Sequence, residues 1–304
     1  MKKMTKEEVQ KRVLKGGEPL SLNLFDWDAE TNTFSSREDN LVIDFSGVYN
    51  CTFKTYSDCT FKTGSFCTFK TGSGCSFKTG SDCTFKTGSD CTFKTGYTCT
   101  FKTGADCTFK TGSNCTFKTG LNCVVVRRDV FEVILLKENI ETMICPYNIK
   151  GYLEKINNKF IYSEDSNKEN EYIIVDNILS KVISRKRNVL KVVNYNEDKE
   201  SYIIKDGDLY SHGKTIKEAR ESLVYKISSR NTSAYKDLTL DSVLTKNECI
   251  KLYRVITGAC ENGTKYFVSK LEPSKIKDKY SIKELIELTE GQYGNLELKK
   301  YFKF

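Results

Sequence analysis

The chain has 304 residues, of which 38% are apolar and 29% charged, with a formal net charge of +8. That length allows two domains, and the basic excess permits an acidic partner without requiring one. No apolar run approaches the roughly 18 residues of a membrane span, and residues 1–15 lack the apolar stretch of a signal peptide. The expectation is therefore a protein that makes no membrane contact and stays in the cytoplasm that made it.

Thirteen cysteines would suit an oxidised scaffold, but the number is odd, and ten of them follow one period. They read as reduced core residues.

The N-terminal segment, 1–42, opens with Thr5-Lys-Glu-Glu8, a capping box in which hydroxyl and carboxylate satisfy free amides at a helix start. Gly16-Gly17 is expected to end that helix, and the polar stretch Asp28 to Asn40 reads as loop. The segment is predicted to cap the open end of a repeat tract.

From Cys51 to Cys123 cysteine recurs every eighth residue, and in nine of these units phenylalanine follows two places later. Internal periodicity outranks any local signal. In the octad Cys-Thr-Phe-Lys-Thr-Gly-x-x, the Cys, Phe and second Thr alternate as on a strand with one buried face. Gly and two small or polar residues supply a turn, with Gly available for positive φ. A meander of hairpins would leave the phenylalanines open to water on one face, and exposed patches of that extent are uncommon.

A β-solenoid buries them, stacking like on like at about 4.8 Å. Two octads form a flattened 16-residue coil with Phe facing Phe at the centre. Three octads, a 24-residue triangle, remain an alternative. Cys83, Phe85, Cys91, Phe93, Cys99 and Phe101 represent the predicted core. Ile43 and Phe45 are read at the Cys and Phe positions before the tract, and Cys123, Val125, Phe131 and Val133 as its continuation. The solenoid is thus assigned to 43–137, about six coils.

Outward positions carry Lys54, Lys62, Lys70, Lys78, Lys86, Lys94, Lys102, Lys110 and Lys118, the candidate interaction residues. Evenly spaced cations can track phosphates, but no aromatics interleave to stack bases. Between residues 43 and 122 nine lysines meet five aspartates. Lysines that keep a sheet soluble and deter edge pairing are the plainer reading. Thiols eight residues apart lie on different strands, unlike the close pairs of structural zinc sites, so no metal and no cofactor is expected.

Residues 138–304 lose the repeat and read as an α+β domain, with strands over about 172–204 and helices over about 215–302. Capping boxes open at Thr215, Thr245 and Ser281. Gly207-Asp-Leu-Tyr-Ser-His-Gly213-Lys-Thr has one residue too many for a phosphate-binding loop, and reads as a turn followed by a helix cap. His212 is the sole histidine. A nucleophile pair with Cys249 or Cys260 would have to form in space, and both cysteines read as structural. Asp206, Asp208 and Glu261 read as solvated turn carboxylates. No catalytic residue is assigned, and the chain is not expected to be an enzyme.

The octads, with YSHGKTIKEAR (210–220), LTLDSVL (238–244), YRVITGAC (253–260) and SIKELIELTEGQYG (281–294), resemble a group of uncharacterised bacteriophage proteins that join a Cys-Thr-Phe octapeptide solenoid to a C-terminal module. The resemblance covers about two thirds of the chain and implies expression inside a bacterium. The function it suggests is a non-enzymatic scaffold binding a host or phage protein, such as a host defence complex. Nucleic-acid binding through the lysines, a structural place in the virion, and self-association are the alternatives. The fold class expected is mainly β: a two-sided solenoid capped by a short N-terminal helix and followed by the α+β domain.

Overall fold

The computed structural model describes residues 3–228, 230–290 and 292–304, which form two compact units, Met1–Asn158 and Lys159–Phe304. In the first unit the octads wind into a two-sided β-solenoid. One face carries six parallel strands, Leu41–Phe45, Thr60–Thr63, Ser76–Lys78, Thr92–Lys94, Thr108–Thr111 and Val124–Arg127. The other carries Thr33–Ser36, Thr52–Lys54, Thr68–Lys70, Thr84–Lys86, Thr100–Lys102 and Thr116–Lys118. Register sets Phe85 beside Phe69 and Phe101, each 16 residues away. That offset selects two octads per coil and rules out the triangle.

Each octad position has a physical task. Cys and Phe are buried throughout the tract. Phe85 and Phe101 stack at 4.9 Å with planes 3° apart, while Phe93 meets Phe101 edge-on from the opposite face at 5.2 Å and 76°. Both geometries suit the ring quadrupole. The second Thr turns its hydroxyl to the next carbonyl, as Thr87 does to Gly88 at 3.3 Å. The seventh residue makes a side-chain ladder, with the Ser89 amide donating to Ser73 Oγ at 3.0 Å.

The positive φ expected at the octad glycine lies elsewhere. It falls on the eighth residue, +56° at Asp82, Asp90 and Asp106, +58° at Asn114 and +68° at Gly74. Asp, Asn and Gly are the types that tolerate this region best, and Phe66 at +65° and Thr98 at +58° are held in it at the same position by the coil. Gly88 is needed for closeness instead, since a Cβ there would stand 2.2 Å from Ser73 Oγ and 2.8 Å from Ser73 N on the previous coil.

The ends differ from expectation. Helix α1 (Lys6–Gln10) keeps the Thr5/Glu8 capping box but stops well before Gly16. Strand Val13–Lys15 comes next and pairs antiparallel with Leu41–Phe45. The expected loop 28–40 contains Thr33–Ser36, which sets Phe34 beside Phe53 in the first coil. Ile43 aligns with Phe61 and Phe45 with Thr63, two positions later than read, because this coil is 18 residues long at that pairing. Leu41 consequently occupies the cysteine position.

At the other end Phe131 and Val133 do not continue the core: both are exposed. The chain reverses after Arg127, so Val133–Leu135 runs antiparallel to Val124–Arg127 and buries Ile134 instead. Arg127 seals this end with a buried ion pair to Asp129 at 2.6 Å and a bond to the Ile149 carbonyl at 2.6 Å. Strands Thr142–Ile144 and Tyr152–Ile156 close the second face, again antiparallel. Residues 138–158, read from sequence as the start of the C-terminal domain, therefore lie in the first unit. A repeat can end in composition before its last ladder edge has been paired.

The second unit opens with an antiparallel meander: Lys159–Tyr162, Tyr172–Val175, Ile178–Lys186, Val189–Asn194, Glu200–Asp206 and Leu209–Gly213. Helix α2 (Ile216–Ile227), capped by Thr215, buries Ala219 and Leu223 against Ile204. Its approach requires Gly213, where a Cβ would meet Ala219 N at 2.1 Å. Helices α3 (Lys246–Thr257), α4 (Glu261–Ser269), α5 (Ile282–Leu288) and α6 (Asn295–Phe302) complete the unit. Leu252, Ile256, Ile282, Ile286 and Leu298 hold α3, α5 and α6 together. Among the described residues no helix is long and apolar enough to cross a membrane.

Candidate functional site

Two features stand out, one on each unit. On the solenoid all nine octad lysines are exposed. Lys62, Lys78, Lys94 and Lys110 align on one face, and Lys54, Lys70, Lys86, Lys102 and Lys118 on the other. Neighbours in each column stand one strand apart, about 4.8 Å. Lys62 approaches Asp44 at 4.0 Å, at the start of its column. The outward positions beside the lysines are Thr or, at 76, Ser.

The second feature is a buried polar cluster in the second unit. Asp176 and Asn177 form the two-residue turn between Tyr172–Val175 and Ile178–Lys186, with φ of +50° and +62°. Positive φ at both positions marks the hairpin turn that matches strand twist. The turn directs the Asp176 carboxylate inward, where its side chain is only 4% exposed. Lys226 of α2 meets Asp176 Oδ1 at 2.6 Å, donates to the Tyr210 carbonyl at 2.8 Å, and lies 3.8 Å from the centroid of the Tyr293 ring.

The other carboxylate oxygen, Oδ2, accepts from Cys260 Sγ at 3.1 Å and stands 3.7 Å from His212 Nδ1. Cys260 is the N-cap of α4, and its sulfur accepts from the Gly263 amide at 3.2 Å.

This packing sets the electrostatics. Burial disfavours charge on Asp176, but His212 and Lys226 outweigh it and hold the carboxyl below its ordinary value. Burial likewise opposes charge on Lys226, and Asp176 more than offsets it, leaving the ammonium raised. The Cys260 thiol is pushed up to about 12, first by burial and then by the adjacent Asp176 charge. A thiol held protonated and bonded to a carboxylate is the reverse of an activated nucleophile, which needs a base and a lowered pKa.

A cavity of about 60 Å³ adjoins the cluster, lined by Asp176, Cys260 and Tyr293 together with apolar side chains such as Phe267, Val268 and Leu288.

The sequence named His212, Cys249 and Cys260 as residues that could meet only in space. The fold brings His212 and Cys260 together with Asp176. Cys249 lines the same cavity but turns its sulfur to the Leu244 carbonyl at 3.8 Å. Asp206 and Asp208 are exposed beside the Gly207 turn, and Glu261 pairs with Lys265 and Arg254. Asp176 and Lys226 escaped the sequence reading. The Asp-Asn pair between two apolar runs is a visible hairpin signal, but nothing local says that its carboxylate points inward.

Comparison with protein-family models, with curated proteins and with solved structures finds no match to this chain. The geometry of the lysine columns and of the buried cluster is therefore what bears on function.

Proposed function

We propose that the protein is a non-enzymatic binding scaffold, in which the solenoid is a stiff spacer with two cationic faces that engage an acidic protein surface. The observation that carries this reading is the pair of exposed, in-register lysine columns. Like charges one strand apart repel, and an anionic partner relieves that repulsion at every rung. Protein is favoured over single-stranded nucleic acid because the neighbouring outward positions are Thr and Ser, which give bases no ring to stack on.

The resemblance to phage proteins adds the setting: a bacterial cytoplasm, with a host or phage protein as partner, a defence complex being one such target. The second unit would provide a further contact, to that partner or to another copy of the chain.

Affinity purification of the full chain from its bacterial host, beside a variant with Lys54, Lys70, Lys86, Lys102 and Lys118 changed to Glu, tests the reading. It predicts a protein partner in stoichiometric amount, released by salt and lost in the variant. Recovery of nuclease-sensitive material alone would favour the nucleic-acid alternative. Nothing above background, or a partner indifferent to the substitutions, would count against the scaffold.

A further inference from the structure

From the juxtaposition of Asp176 Oδ2, His212 Nδ1 and Cys260 Sγ, we propose that the second unit binds one zinc ion, with a fourth coordination position facing the adjoining cavity. The three donor atoms come from a hairpin turn, a strand and a helix N-cap, and all lie within 4.8 Å of one another. Zinc bonds of about 2.0–2.3 Å at tetrahedral angles place donors about 3.3–3.7 Å apart. The observed separations from Oδ2, 3.7 Å to nitrogen and 3.1 Å to sulfur, need a few tenths of an ångström of adjustment, and the imidazole and thiol, within 4.8 Å of each other, need to close by up to about one ångström by side-chain rotation.

His212 supplies the second observation. Its side chain is 2% exposed, yet neither ring nitrogen has a hydrogen-bond partner among the described residues. Leaving a buried imidazole unsatisfied is destabilising, and a metal–nitrogen bond would remove that penalty.

The surroundings suit an ion. Lys226 occupies Oδ1 and leaves Oδ2 available. The Gly263 amide points at the sulfur, as outer-shell donors do toward metal thiolates. A Cβ at Gly263 would come within 3.1 Å of that sulfur and 3.3 Å of Asp176 Cβ, so glycine keeps the approach open. One nitrogen, one oxygen and one sulfur make a borderline-soft set that favours zinc over magnesium or calcium. Binding replaces the Cys260 S–H bond with a metal–sulfur bond and releases the proton to solvent. Asp176 and Cys260 both line the cavity, which gives the ion an entry path and the fourth position a water ligand.

The site is independent of the scaffold reading, and titration of the full, reduced chain with cobalt(II) as the zinc probe tests it. The expected result is one equivalent bound, with tetrahedral d–d bands and a single thiolate-to-cobalt charge-transfer band. Cys260→Ser should weaken binding more than about 100-fold, beyond the 10–100-fold typical of outer-shell changes. Cys249→Ser, a cavity cysteine without these partners, should leave binding unchanged.

Cadmium NMR of the unaltered chain makes the test independent of variant folding. One resonance in the single-thiolate range supports the site, whereas a multi-thiolate resonance would place the ion among the solenoid cysteines and overturn it. Absence of cobalt binding, or binding unaffected by Cys260→Ser, would also overturn it.

Discussion

The solenoid cysteines and Cys260 of the second unit put a buried thiol to different uses. In the solenoid a thiol such as Cys99 is one rung of a ladder, buried between like neighbours, with its sulfur donating to the Gly80 carbonyl at 3.7 Å. Burial pushes its pKa well up, and it acts as a small apolar side chain. Cys260 is equally buried but faces a carboxylate, an imidazole and a main-chain amide. Among the described residues such surroundings occur once. Burial alone therefore says little about a cysteine's task. In the repeats each role is held by many equivalent residues, whereas in the second unit each is held by one.

Substitutions put that contrast to the test. The largest effect is expected at Lys226→Met, which leaves the Asp176 charge buried without its partner. Losing one member of a buried pair costs about 3–5 kcal/mol. Helical circular dichroism, dominated by the second unit, should report this loss while fluorescence of the sole tryptophan, Trp27, stays unchanged. Phe93→Ala should do the reverse. It removes a ring stacked on Phe77 and Phe109 at 4.8 Å each, and deletions of this type cost about 3–5 kcal/mol. The tryptophan transition should fall and the helical signal should not.

A smaller effect separates the octad's turn residues. Asp90→Val forces a β-branched residue to φ +56° and should cost about 1–2 kcal/mol, whereas Asp90→Asn should be near neutral. Equal costs would mean that the side chain and not the backbone selects Asp.

The smallest effect is expected at the α5 capping box. Ser281→Ala should cost about 1 kcal/mol in the second unit. Glu284 is depressed to about 2, chiefly by its bond to Lys277 and then by the Ser281 amide. Its folded value lies below its unfolded one, so its stabilisation is complete above about pH 4.5 and is lost as pH falls toward 2. Glu284→Gln should flatten that part of the acid unfolding curve.

Much of the solenoid could be read from residues because each rung repeats the same evidence. Period eight, alternation and bulky Phe led to a two-sided coil, and the i to i+16 register bears this out. Reading failed where the repeat loses its period. The 18-residue coil shifted Ile43 and Phe45 by two places, and the reversal after Arg127 exposed Phe131. The octad glycine also misled, because close approach and positive φ both favour Gly and sequence cannot separate them.

In the second unit the capping boxes at Thr245 and Ser281 were legible, since a capping box spans only four residues, whereas at Thr215 the hydroxyl caps α2 but Glu218 accepts from the Lys214 amide and leaves the expected box unclosed. The buried cluster was not. Asp176 meets Cys260 across 84 residues of chain, and no local pattern encodes such a meeting.

Cross-linking of paired cysteines gives the sharpest test of the coil. Lys78 and Lys94 stand side by side in register, at a spacing within the range a disulfide spans, while Lys86 lies on the opposite face. Under mild oxidation the chain carrying Lys78→Cys with Lys94→Cys should close a disulfide, and the chain carrying Lys78→Cys with Lys86→Cys should not. Closure of the second pair in preference to the first would contradict the two-sided solenoid.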